Sequence, residues 1–326
     1  MLKALNGLLA VIGGVGGVLV LFWALNALVE RLGPKWEARL KPYVFVGPAV
    51  LVVSLFLVYP TVRTVILSFA DARSESFIGT RNYSDLLGEA DFRQTLVNNL
   101  LWLLVVPSIS LAVGLAVAVL ADKLRARAEN ITKSVIFLPM AISFVGASTI
   151  WKFVYESRAA GRAQIGLLNG VVTGLGFDPV GWLQTRAFNF NDSLLMVIMI
   201  WLQAGFAMVL LSAAIKNVPD ETLEAARIDG ATELQIFFRV VVPQIWATVL
   251  VVFTTILILV MKIFDIVYVM TNGAFDTEVV ANVFYKQLFE FGNNGAAAAV
   301  VVVLMVAVIP LMVYQVRRLR SEEAGR

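Results

Sequence analysis

This chain has no cysteine and no histidine, which leaves few ways for it to do chemistry. Without cysteine there is no disulfide, no thiolate metal site and no thiol nucleophile. Without histidine there is no usual proton relay and the commonest metal ligand is gone. Two sets of residues remain. The first is a polar, acid-bearing island at 219–243, Pro-Asp-Glu-Thr-Leu-Glu-Ala-Ala-Arg-Ile-Asp-Gly-Ala-Thr-Glu-Leu-Gln-Ile-Phe-Phe-Arg-Val-Val-Val-Pro, set between two long apolar runs. The second is a handful of polar and aromatic side chains inside apolar runs: Ser143, Trp201, Gln203 and, at the end of a run, Lys262. Polar groups in hydrocarbon are costly unless satisfied, so these are functional candidates by default. Together such groups could offer a bound molecule hydrogen bonds and an aromatic face.

Each has a plainer alternative. Trp201 suits packing or interfacial anchoring, and Gln203 suits a helix–helix hydrogen bond. Ser143 can bond to its own backbone. Lys262 and Asp265, three apart, can pair with each other. Asn98 and Asn99 read as helix-start or loop residues.

The elements that must position these residues are apolar spans. Of 326 residues, 59% are hydrophobic and 15% are charged. A run of about 20 apolar residues crosses a bilayer. Such runs fall at 4–29, 42–62, 94–121, 134–151, 193–215, 243–261 and 293–316. The expectation is an all-α, polytopic bundle of seven spans. The first run lacks a clean cleavage site, so it is expected to be a retained helix rather than a signal peptide. Gly13 and Gly17 within it form a close-packing pair or simply a glycine-rich span. A net charge of +3 is ordinary for such a protein and gives no reason to expect nucleic-acid binding.

The island has its own local logic. Pro219, Asp220 and Glu221 start a helix, with acids at the positive end of its dipole. Leu223, Ala226 and Arg227 share one side of it. Gly230 suits the left-handed residue that ends it. Thr232 and Gln235 form a capping-box pattern that opens a second helix, with Leu234, Phe237, Phe238 and Val241 as its apolar face.

Lys and Arg are roughly two and a half times denser in one alternate set of connecting segments than in the other, which places the amino terminus outside, and the carboxyl terminus and the island in the cytoplasm.

Glu224-Ala225-Ala226, three residues, Gly230, nine residues and then Val240-x-Val242-Pro243 resembles the EAA loop of ABC importer permeases. Valine stands twice for a larger aliphatic residue. The loop spans 217–243, and the resemblance implies that it docks on an ATP-binding subunit. Glu224 would be the polar anchor, Ala225 and Ala226 the close-approach face and Gly230 the turn, with Asp229 also among the residues that couple to the ATPase. Phe77-Ile-Gly79-Thr-Arg-Asn82-Tyr83 and Phe264-Asp265-Ile-Val-Tyr268-Val-Met-Thr271-Asn272-Gly273 are similar to elements of maltose-type sugar permeases, with Ala274 and Phe275 departing from the usual glycine pair and proline. The resemblance divides the chain into an extra amino-terminal span with its basic loop, 1–41, and a six-span core, 42–326. An extra first span also occurs in the α-glucoside branch.

The same resemblance implies the rest. Sugar contacts map onto Met199, Gln203 and Phe206, with Met140, Ser143 and Phe144 at matching depth and Leu259, Lys262 and Ile263 nearby. The chain would be one of two different permease subunits in the bacterial cytoplasmic membrane, working with two ATPase subunits and an external solute-binding protein. It carries no Gly-x-x-x-x-Gly-Lys-Ser/Thr loop, so ATP and Mg would sit on the partner and the chain itself would need no cofactor or metal. Two other readings compete: a permease for a polyamine or phosphate ester, and an ATP-independent carrier or enzyme. A phosphate ester calls for deep basic residues, and only Lys262 comes close. A proton-coupled carrier calls for buried acids, and the runs at 134–151 and 193–215 contain none.

Overall fold

The computed structural model describes residues 2–324, with side chains at 2–5, 8, 311, 314–316 and 318–324 outside the description; Arg318 and Arg320 of the basic tail fall among these. The described residues are helical, with one isolated bridge, Ala70 to Phe77, and no strand. Contacts divide the chain into two units, Met1–Ile66 and Leu67–Arg326.

In the first unit, α1 (Leu2–Glu30) and α2 (Pro34–Val53) pack together, with Phe22 and Phe45 stacked at 5.9 Å. Gly33 at φ 72° makes the turn between them, and Pro34 opens α2, where its missing N–H costs nothing. The second apolar run thus groups by contact with the first, and the contact boundary falls after Ile66. A π-turn at Ser54–Val58 leads into α3 (Tyr59–Leu67). It precedes Pro60, which has no N–H to give the regular ladder.

The second unit begins with a turn whose carbonyls are collected by a side chain. Asn82 donates to Ser68 O (2.9 Å) and Ala70 O (2.8 Å), and the Tyr83 hydroxyl donates to Ser68 Oγ (2.6 Å). These residues sit on α4 (Arg81–Gly88). The core is built on α5 (Ala90–Asp122) and α9 (Phe190–Lys216). Trp102, Val106 and Ala118 interleave with Leu195, Ile198, Leu202, Met208 and Leu211. Gly114 allows the approach, since a Cβ there would lie 2.5 Å from Ala207 Cβ; small residues at such crossings let helices pack in lipid.

Between them, the run expected as a single span at 134–151 is broken. α6 (Ala126–Phe137) ends in a 3₁₀ turn, Leu138–Ala141, and α7 (Phe144–Tyr155) leaves at 104°. The cause is local. Pro139 cannot continue the ladder, and Ser143 Oγ accepts from Gly146 N at 3.1 Å, capping a new helix. α8 (Leu167–Gly174) follows on the long connection.

After α9 come α10 (Asp220–Ile228) and α11 (Glu233–Ile236). A π-turn at Phe237–Val241 and the short α12 (Val242–Gln244) surround Pro243, and the chain bends by 70° into α13 (Trp246–Val260). α14 (Asp265–Met270), α15 (Val280–Tyr285) and α16 (Asn294–Ala324) complete the unit. Among the described residues, four helices are long and apolar enough to cross a membrane, and up to six segments qualify when each bent pair is taken as one span. A helical membrane bundle is thus plain.

Candidate functional site

Two features stand out: an elbow after α9 and a concavity beside its middle.

The elbow forms as its caps dictate. Pro219 stands one place before the helix, as N-cap, and Asp220 and Glu221 fill the first turn. Gly230 at φ 80° ends α10. Gly230 N donates to Arg227 O (3.0 Å) and Ala231 N to Ala226 O (3.1 Å), the paired bonds of a glycine-terminated helix. The Thr232–Gln235 capping box then opens α11. Arg227 Nε donates to Glu233 Oε1 at 2.9 Å, tying the two short helices together.

Leu223 and Ala226 pack against the core, whereas Glu224, Ala225, Asp229 and Gly230 are exposed. The inward face of the second helix differs from the expected one. Ile236 and Val241 are buried with Phe237 and Val240 beside them, and Leu234 and Phe238 are 71% and 63% exposed. Leu234 is already exposed and Ile236 already buried before the π-turn begins, so a 3.6-residue count started at Leu234 starts on the outward side of the helix. With Ile228, which is 85% exposed, Leu234 and Phe238 give the elbow an apolar outer surface next to Glu224.

The concavity holds about 450 Å³ and is lined by Met140, Ile142, Ser143, Phe144, Val145, Gln203, Leu259 and Asp265. Five of the residues expected to meet solute, Met140, Ser143, Phe144, Gln203 and Leu259, share this one wall. The helix break creates it: the 3₁₀ turn presents Met140, and the cap of α7 presents Ser143. Gln203 is 4% exposed, and its Oε1 has no hydrogen-bond partner. A buried, unpaired amide oxygen is an acceptor without a donor, which costs free energy unless something supplies one.

The other expected contacts lie elsewhere. Met199 is fully buried in the core, one turn before Gln203. Trp201 packs edge-on against Trp151 at 5.8 Å, and Phe206 lies against the core. Lys262 is exposed outside the lining. No salt bridge joins it to Asp265 among the described residues. Asp265 itself lines the concavity, at the first position of α14.

Sequence reasoning also missed a buried polar brace. Asn98 is not a helix-start residue: it sits two turns into α5 and donates to Asp276 O (2.6 Å) and Glu278 O (2.9 Å). Asn99 accepts from Val280 N at 2.7 Å, and Asn191 donates to Phe275 O at 2.6 Å. These amides replace the ladder that the irregular 275–280 segment lacks. Trp102 Nε1 donates to Asp192 Oδ1 at 2.9 Å, both residues buried. Asp192 lies in the first turn of α9, so a buried acid is present in this span after all; the helix starts three residues earlier than the apolar run suggests. The adjacent pair Asn98-Asn99 inside an apolar helix was the available signal.

The model of one family, described as the binding-protein-dependent transport system inner membrane component, matches residues 110–320. The chain belongs to this family. It is therefore a membrane component of a transporter, and not an enzyme; in such importers ATP hydrolysis resides in a separate subunit. The permease is 47% identical over 333 residues to the alpha-glucoside transport system permease protein AglF of Rhizobium meliloti, covering 97% of this chain and 98% of that protein. It is 51% identical over 282 residues to the osmoprotective compounds uptake permease protein GgtC of Synechocystis, covering 86% and 100% respectively. Its fold matches a chain of a bacterial ABC transporter involved in the import of the acidic polysaccharide alginate, with a TM-score of 0.74 at 18% identity over 88% of this permease and 99% of that chain.

Proposed function

We propose that the permease forms one half of the pathway of an ATP-driven importer for α-glucosides or related oligosaccharides. The observation that carries this is the concavity, in which five expected solute contacts meet and Gln203 offers a buried acceptor with no partner. A sugar hydroxyl can donate to Gln203 Oε1, Ser143 Oγ and Asp265 can receive further hydroxyls, and Phe144, Met140 and Leu259 can cover a ring's CH face. The similarity to AglF along the whole chain supports an α-glucoside.

In this reading each bent pair is one span and Asn294–Pro310 supplies another, which makes seven. The amino terminus is outside and the elbow cytoplasmic, where Glu224, Ala225, Ala226, Asp229 and Gly230 meet one of two ATPase subunits. A second, different permease subunit supplies the other half of the pathway, and an external binding protein delivers solute. ATP and Mg stay on the ATPase, so the permease itself binds no cofactor. A second reading, a small osmoprotective solute, is favoured by the similarity to GgtC.

The test is uptake of radiolabelled maltose, trehalose, sucrose and small polyol osmolytes by the assembled transporter. Gln203→Ala is expected to raise the half-saturating concentration of the true solute about tenfold, the loss of roughly one hydrogen bond. Trp201→Ala, outside the concavity, is expected to lower the amount of folded protein more than the affinity. Unchanged affinity for every solute in Gln203→Ala would refute this assignment of the cavity.

A further inference from the structure

The end of α9 that runs into the elbow carries a charge cluster used by neither the cavity nor the elbow's outer face. Glu129 of α6 is buried, and its Oε1 accepts from Lys133 one turn on and from Lys216 of α9. Lys133 also donates to Ser212 Oγ, buried on α9. Lys216 reaches Asp122 Oδ1, at the end of α5, at 3.5 Å. Two acids and two lysines thus join α5, α6 and α9 immediately before the elbow begins. A buried carboxylate stays charged at such a place only if its partners stay with it, so the group resists separation of the helices.

α6 is held to α9 at its other end as well. A Cβ on Gly205 would meet Ile136 O and lie 2.8 Å from Phe137 Cα, so backbone rests on backbone there. Directly after Phe137 comes the turn that carries Met140 into the concavity. The twelve-residue helix α6 therefore connects the root of the elbow to the wall of the cavity.

We propose that Glu129, with Lys133 and Lys216, is the joint through which movement of the elbow reaches the solute cavity. The inference rests on the coupling role proposed for residues 219–243. Glu129 is a positioning residue: it touches no solute and acts by making α6 follow α9. Without it, α6 can pivot about the Gly205 contact while the elbow moves, and hydrolysis no longer reshapes the cavity.

The experiment uses the complete transporter in lipid vesicles, with Val145→Cys as a reporter on the cavity wall. The chain has no other cysteine, so thiol labelling is read on its own band. With Glu129 intact, ATP and Mg are expected to change the labelling rate severalfold. In Glu129→Gln that change is expected to shrink to less than twofold, and solute moved per ATP to fall about fivefold or more, within the usual range of coupling between sites. Glu129→Asp is expected to restore both. Lys216→Gln, which leaves the Glu129–Lys133 pair intact and so leaves no buried carboxylate bare, is read in the same way if Glu129→Gln fails to assemble. A full ATP-driven labelling change with normal solute per ATP in either variant overturns the proposal. Absence of any ATP-driven change in the reporter with Glu129 intact would instead overturn the coupling reading on which it rests.

Discussion

Replacing Trp102 with phenylalanine isolates the brace at the centre of the bundle. Trp102 is fully buried, and its indole N–H donates to Asp192 Oδ1, while the second oxygen of that carboxyl group has no partner. Phenylalanine keeps most of the apolar body but removes the donor. Loss of a hydrogen bond to a carboxyl group costs about 1.5–3 kcal/mol, and the volume lost from a packed site adds about 1 kcal/mol. A total near 3 kcal/mol corresponds to a fall of roughly 6–12 °C in the unfolding midpoint for a unit of this size. The assay is thermal unfolding of the purified protein in detergent, in wild-type and Asp192→Asn backgrounds. Asparagine keeps an acceptor but cannot carry a carboxylate's charge, so in alkaline buffer, where the carboxylate is ionised, Trp102→Phe is expected to cost clearly less there. A midpoint within about a degree of wild type, or an equal loss in both backgrounds, would refute the reasoning.

Two further outcomes follow from the same core. Asn98→Ala removes both bonds that hold the carbonyls of Asp276 and Glu278, and the segment at 275–280 is expected to become cleavable by protease in folded protein. Gln94→Ala, which removes a donor to Asn98 Oδ1 but leaves those two carbonyls bonded, is the control and is expected to stay resistant. Gly114→Leu puts a side chain where Ala207 and the Met208 backbone already stand, and a loss of several kcal/mol is expected from overpacking, read as failure to accumulate folded protein in the membrane.

The elbow was legible in the sequence because its instructions are local. Pro219, Gly230 and the Thr232–Gln235 box each act within a few residues, and the structure realises all three. The long helices were legible because hydrocarbon demands length and apolarity together. The break at 138–143 was not. Pro139 in an apolar run reads as a tolerated kink, and only the Ser143 cap turns it into a corner of 104°. The cavity was half legible. Met199 and Gln203 lie one turn apart on the same helix, but the core covers the first and the corner leaves the second lining the concavity. Which residue of a stripe meets a neighbour is set by elements far away in the chain. Asn98 and Asp192 show the same limit: their partners lie 178 and 90 residues away respectively.

Force enters the bundle through the elbow in the function proposed above. Gly230 holds φ at 80°, a conformation proline cannot take because its ring fixes φ near −65°. The decisive measurement is therefore solute uptake and binding-protein-stimulated ATP hydrolysis by the complete transporter carrying Gly230→Pro, with membrane insertion verified. Intact insertion with loss of both activities is the expected result. Uptake at the wild-type rate from a correctly inserted Gly230→Pro protein would contradict this role for the elbow.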